Sequence, residues 1–143
     1  MLPKAIIKFI KKHHVMTISV HDAEEIWCSH CFYVYDTELN SFIFASEEDT
    51  RHVELMLKNN MISASIVLET KRIIKIKGVQ MRGKVFKIKD NEFENLKANY
   101  FKRFPYAVLM NFSFWIFQPD YVKMTDNTFG FGKKLKWDKR IDN

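Results

Sequence analysis

Between Lys71 and Lys89 the chain reads KRIIKIKGVQMRGKVFKIK, with basic residues at alternate or near-alternate positions. Successive side chains of a β-strand point to opposite faces, so this spacing keeps one face wet while the apolar residues between take the other. Together with ISASIVLE just before it, the segment predicts two or three strands, with Gly78 and Gly83 as bulge or bend positions. Comparable runs recur on both sides of it. VMTISV predicts a first strand, and residues 26 to 35 its hairpin partner across the acidic turn HDAEE. SFIFAS follows as a third strand, and NFSFWIFQ and DYVKMTD as two more separated by Pro119. NTFGFGKKLKW then reads as a glycine-punctuated loop and a last short strand.

Three segments carry helical spacing instead. Pro3 suits the first turn of a helix running to about Lys12 or His13, with Lys4, Lys8, Lys11 and Lys12 opposite Ile6, Ile7, Phe9 and Ile10. Asp49 or Thr50 can cap a second helix, whose buried side is expected to hold Val53, Met56 and Leu57. A third starts at Asp90 or Asn91, repeats Phe93, Leu96, Tyr100 and Phe104, and stops at Pro105. Six or seven mostly adjacent antiparallel strands with three helices define an α+β class, mainly β: a barrel or curled sheet. With 143 residues, 47% of them hydrophobic and only 4 Gly and 3 Pro, one packed domain over residues 1–143 is expected and disorder is excluded.

Both cysteines lie in IWCSHCFYVYD, residues 26 to 36, at C-x-x-C spacing. The aromatic and β-branched neighbours make this a strand, in which positions three apart face away from each other. Cys28 and Cys31 are therefore not expected to share a metal ion or a disulfide. A zinc site would need further thiolates, and the five histidines show no i, i+4 pair. No metal is expected. G-x-S-x-G and H-E-x-x-H are also absent, which leaves hydrolase chemistry without support.

The N-terminus interleaves lysines with apolar residues at helical spacing, unlike a secretory signal. No apolar run approaches the roughly 20 residues that cross a bilayer, and two cysteines without a framework fit a reducing compartment. A cytoplasmic protein with no membrane partner is expected. The net charge of +6 comes from the 71–89 segment and from basic groups at either end of the chain. A solvated face accounts for the first, and no nucleic-acid motif accompanies it, so a nucleic-acid partner is not expected.

Two stretches could carry chemistry. FIFAS runs into DTRH at a helix start, where free backbone amides, the hydroxyls of Ser46 and Thr50, the guanidinium of Arg51 and the ring of His52 could converge on one phosphate. Plain N-capping by Thr50, with Arg51 and His52 in solvent, is the alternative, and Glu47, Glu48 and Asp49 compete for the same positive end. TDNTFGFGKK, residues 125 to 134, lacks G-x-G-x-x-G and is not a Walker loop; a turn with an aromatic plug explains it.

FYVYD with the following TRH, GVQMRGKV, RFP, and above all TDNTFGFGKK with Trp137 after it resemble the pyridoxamine 5'-phosphate oxidase-like flavin-binding split barrels, most closely the small bacterial YhbP-like branch. The resemblance covers nearly the whole chain. It implies a six-stranded antiparallel split barrel with flanking helices, forming a homodimer with FMN in clefts between subunits. It also implies that Ser46, Thr50, Arg51 and His52 hold the flavin phosphate, the group already singled out on physical grounds. Lys77 would stand near the ring or phosphate, and Trp115 and the 126 to 132 loop, Asn127 included, would wall the cleft; core packing is the alternative for Trp115.

The chain also departs from the oxidase pattern. Cys28 and Tyr33 stand where the oxidases carry basic residues, Lys77 and Gly78 replace a basic residue and a glutamine, and the C-terminal Arg-x-His-Asp-Arg element has no counterpart. Pyridoxamine phosphate oxidation is therefore not expected. What remains is a flavin-dependent oxidoreductase of another substrate, or a non-enzymatic barrel holding a different flavin, haem or no cofactor.

Overall fold

The computed structural model describes residues 1–142. Along the chain these form α1 (Lys4–Lys12), β1 (Val15–His21), β2 (Ile26–Asp36), β3 (Ser41–Ser46), α2 (Arg51–Lys58), β4 (Met61–Val67), β5 (Lys77–Lys87), α3 (Glu94–Arg103), β6 (Ser113–Asp126) and β7 (Lys134–Asp138). The sheet order is β3-β2-β1-β4-β5-β6-β7, and β6 also pairs with β3. Six antiparallel strands thus close into a barrel, with β7 added outside the ring.

Alternation fills the barrel. Met16, Ile18 and Val20 of β1 face Ile62, Ala64 and Ile66 of β4, and all are buried. Tyr33, Phe42, Phe44, Trp115 and Phe117 are fully buried, with Phe42 5.3 Å from the Tyr33 ring and 5.8 Å from that of Phe117. α1 adds Ile6, Phe9 and Ile10 to the same core and keeps its lysines outside, as its spacing predicts. The other faces of β3 and β6 pack under α3, where Ile43, Ile88, Leu96 and Ile116 form a second cluster.

The C-terminal end of α1 is capped from elsewhere in the chain. Tyr33 Oη donates to the Ile10 carbonyl at 2.6 Å, and the Arg103 guanidinium donates to those of His13 at 2.6 Å and Tyr33 at 3.2 Å. The last carbonyls of a helix have no intrahelical partner, so α3 supplies through Arg103 what α1 lacks.

ISASIVLE and the 72–89 segment give two strands, the lower of the expected counts: β4, then a 3-10 turn over Ile73–Lys75 followed by the single strand β5. Three local expectations are corrected. NFSFWIFQ and DYVKMTD join into the continuous β6 because Pro119 falls between two ladders: Ser113–Phe117 pairs with β3, and Tyr121–Thr125 with β7. On its other edge β6 follows β5 with a register shift beside Gly83, so that Gly83 opposes Pro119, Arg82 opposes Tyr121, and Asp120 is the extra residue. On α2 the buried set is His52, Val53, Leu55 and Met56, while Leu57 is exposed, since the contact face runs from His52 at i, i+3 and i+4. Helix α3 begins at Glu94, not after Asp90 or Asn91, because the Lys97 ammonium binds the carbonyls of Lys89 and Asp90 and locks those residues in a turn.

Candidate functional site

Strand β3 ends at Ser46 and α2 begins at Arg51, so four residues carry the chain from the barrel wall to a helix N-terminus. Ser46 and His52 are both buried, and Ser46 Oγ is hydrogen-bonded to His52 Nε2 at 2.8 Å. Thr50 Oγ1 stands 3.4 Å from the same ring nitrogen and donates to the Glu47 carbonyl at 2.8 Å. Its hydroxyl is thereby turned away from the helix, and no side chain caps the first amides of α2. These amides have no intrahelical acceptor. The structure brings Ser46, Thr50 and His52 together beside that uncapped start.

Arg51 is in the same place but already partnered. Its guanidinium pairs with Glu25, from the turn before β2, and with Glu54 one turn along α2. The guanidinium also holds the Glu54 carboxyl below the usual range. Of the acidic run, Glu48 turns away from the helix to Lys87 and Ser113, whose hydrogen bonds lower its pKa. An anion at the head of α2 would therefore compete with Glu25 and Glu54 for Arg51, while Glu48 is engaged elsewhere.

Cys31, which the sequence set on the face of β2 opposite Cys28, proves to be the inward one. It is buried, and burial pushes its thiol up to about 11, against a smaller opposing effect of the neighbouring Ser46. Cys31 is thus a neutral thiol at physiological pH, while Cys28, on the opposite face as expected, is exposed and free. Burial also lowers the pKa of His52. Protonating this imidazole is harder in the folded chain than in the unfolded one, so its contribution to stability is complete above the ordinary value of about 6.5 and is lost as pH falls below it. The urea midpoint is expected to drop between about pH 7.5 and about pH 5.5, and to drop less in His52→Gln. Equal slopes for the two proteins would contradict the buried neutral imidazole.

The remaining candidates lie elsewhere. Lys77, at the start of β5, pairs with Asp126 at 3.1 Å, and its ammonium is 5.8 Å from the Phe129 ring centre. Asn127 is buried and spends its side chain on the loop: the amide donates to the Ile73 carbonyl at 2.8 Å and the oxygen accepts from the Gly132 amide at 3.1 Å. No hydrogen bond or ion pair joins these residues to the Ser46–His52 group among the described residues. Trp115, the other cleft-wall candidate, packs in the barrel at 2% exposure, with its indole nitrogen unpartnered.

The sequence placed Asp126 at the start of the cleft-wall loop without giving it a partner. It is buried, accepts from both the amide and the hydroxyl of Thr128, and holds Lys77. The D-x-T spacing at the start of the glycine loop was the available signal, since such pairs form local side-chain turns.

A six-stranded antiparallel ring closed by a long bulged strand, with helices flanking it, is a split barrel. Solved structures agree on the fold. A haem-binding protein from Mycobacterium smegmatis matches 99% of this chain and 61% of its own at 15% identity and a TM-score of 0.77. HutZ, a haem storage protein from Vibrio cholerae, matches 83% of this chain and 91% of its own at 16% and 0.69, and an FAD-binding protein from Mesorhizobium loti 86% and 94% at 13% and 0.70. No family profile matches the chain. A UPF0306 protein of Klebsiella pneumoniae is 38% identical over 133 residues, spanning 93% of this chain and 90% of that protein, and the UPF0306 protein YhbP of Escherichia coli is 34% identical over the same spans. The chain belongs to the UPF0306 family.

Proposed function

We propose that this chain is a cytoplasmic homodimeric FMN-binding split barrel acting as a flavin-dependent oxidoreductase, with the flavin phosphate at the head of α2. The observation that carries the reading is the uncapped start of α2, with Ser46, Thr50, His52 and the guanidinium of Arg51 around it. Backbone amides at a helix start together with a guanidinium suit a dianionic phosphate. FMN would supply the redox chemistry; the chain binds and orients it. Dimerisation is supported by the outer face of the barrel. β1, β4 and residues 26 to 35 contain no Asp, Glu, Lys or Arg, in a chain that is 28% charged. Thr17, Ser19, Cys28, Ser63 and Ser65 form a small-residue field there, bordered by the exposed Ile26, Phe32, Met61 and Val67.

A second reading, haem or another flavin in the same kind of barrel, is favoured by the carboxylates on Arg51 and by the haem and FAD proteins that share the fold. Absorbance of the purified protein followed by FMN titration with fluorescence detection separates the two. Saturation near one FMN per subunit, weakened about tenfold or more by Arg51→Ala, is the expected result. A Soret band on adding haem, with no saturable FMN signal, would replace the first reading with the second.

A further inference from the structure

We propose that a cleft between α1 and the loop after β6 is a second binding site, for a small aromatic carboxylate. The cleft has a volume of about 470 Å³, within the range of small-molecule sites. Its interior is apolar: Leu68 and Met124 line it, and Phe9 packs against His13 with ring centres 4.2 Å apart and the rings tilted by 43°. Phe129 stands at the other side with 63% of its surface exposed, a large apolar area that a bound ring would cover.

The rim is cationic. Lys8 and Lys12 of α1 and Lys75 of the 3-10 turn line the opening, and none of the three has an ion pair among the described residues. The one carboxylate in the lining, Asp126, is spent on Lys77 and Thr128. Three ammonium groups above an apolar slot match a ligand with an anionic head and a flat hydrophobic body, and aromatic residues and a methionine in the lining favour a ring over a chain. His13 agrees with this field: burial first, and then the charge of Lys12, lower its pKa, so a neutral ring faces the slot. The cleft shares no lining residue with the Ser46–His52 group.

The test is calorimetric titration of the full chain with naphthoate, and with naphthalenemethanol as the uncharged control. One naphthoate per chain is expected. Lys8→Glu combined with Lys12→Glu should weaken naphthoate about tenfold or more and leave the alcohol unchanged. Phe129→Ala, on an exposed loop, should weaken both. Arg51→Ala and excess FMN should leave the naphthoate isotherm as it is, so loss of the flavin reading does not touch this one. Absence of saturable naphthoate binding, an affinity within about twofold after the charge reversal, or competition by FMN would each overturn the proposal.

Discussion

Gly83→Ala is expected to destabilise the barrel by about 3 kcal/mol and to lower its melting temperature by roughly 10 °C. A Cβ built on Gly83 lies 2.1 Å from the Gln118 carbonyl oxygen and 2.7 Å from the Pro119 Cα, and both are backbone atoms. No side-chain rotation relieves such an overlap, so β6 must move. It is held on both sides of this point, to β5 throughout and to β3 and then β7 on its other edge. Gly78→Ala on the same strand is the control, since its nearest contact is the Ile66 carbonyl oxygen at 3.2 Å. Thermal circular dichroism reads both. A Gly83→Ala protein melting within about 2 °C of the parent would show that the bulge absorbs a side chain, contrary to its geometry.

Arg103→Ala should cost about 2 to 3 kcal/mol, because it leaves the His13 and Tyr33 carbonyls without their charged donor. The guanidinium is also 5.7 Å from the Tyr33 ring centre and 5.5 Å from that of Phe104, so its loss opens packing as well as hydrogen bonding. Lysine is a poor replacement, since a single ammonium cannot reproduce the fork that reaches two carbonyls. Urea unfolding should place Arg103→Lys nearer to Arg103→Ala than to the parent. Hydrogen exchange should show the last turn of α1 opening first, as its carbonyls lose their partner from α3. Uniform acceleration across all elements would argue that Arg103 supports the whole core and not the end of α1.

These two positions show what a linear reading reaches and where it stops. Gly83 was legible as a bend because a glycine among alternating β-branched and basic residues marks a close backbone approach. That Pro119 is the approaching residue was not legible, since the two are distant in sequence and meet only when β5 and β6 pair. RFP was legible as the end of a helix. That its arginine serves a different helix follows from the packing of α3 beside α1 and β2.

The candidate site divides in the same way. Ser46, Thr50, Arg51 and His52 lie within seven residues of one another, and a strand running into a helix brings them to one place by local geometry alone. Their partners came from elsewhere. Glu25 claims Arg51 from the turn before β2, and Cys31 meets Ser46 through the barrel interior. Asn127 and Trp115 could be named from the sequence, but only burial shows that one ties down its loop and the other fills the core.

By itself the sequence determined the mainly β α+β class of antiparallel strands with three helices, the opposite facing of Cys28 and Cys31, and the α2 cluster. Each depends on side-chain period or on spacing of a few residues, which the backbone converts directly into direction. The tertiary structure alone decided the β3–β6 closure, the switch of β6 from one partner to another at Pro119, the capping of α1 by Arg103, and the cationic cleft beside Phe129. Each joins segments far apart in the chain, and such pairings are selected by the packing of the whole barrel, not by any local preference.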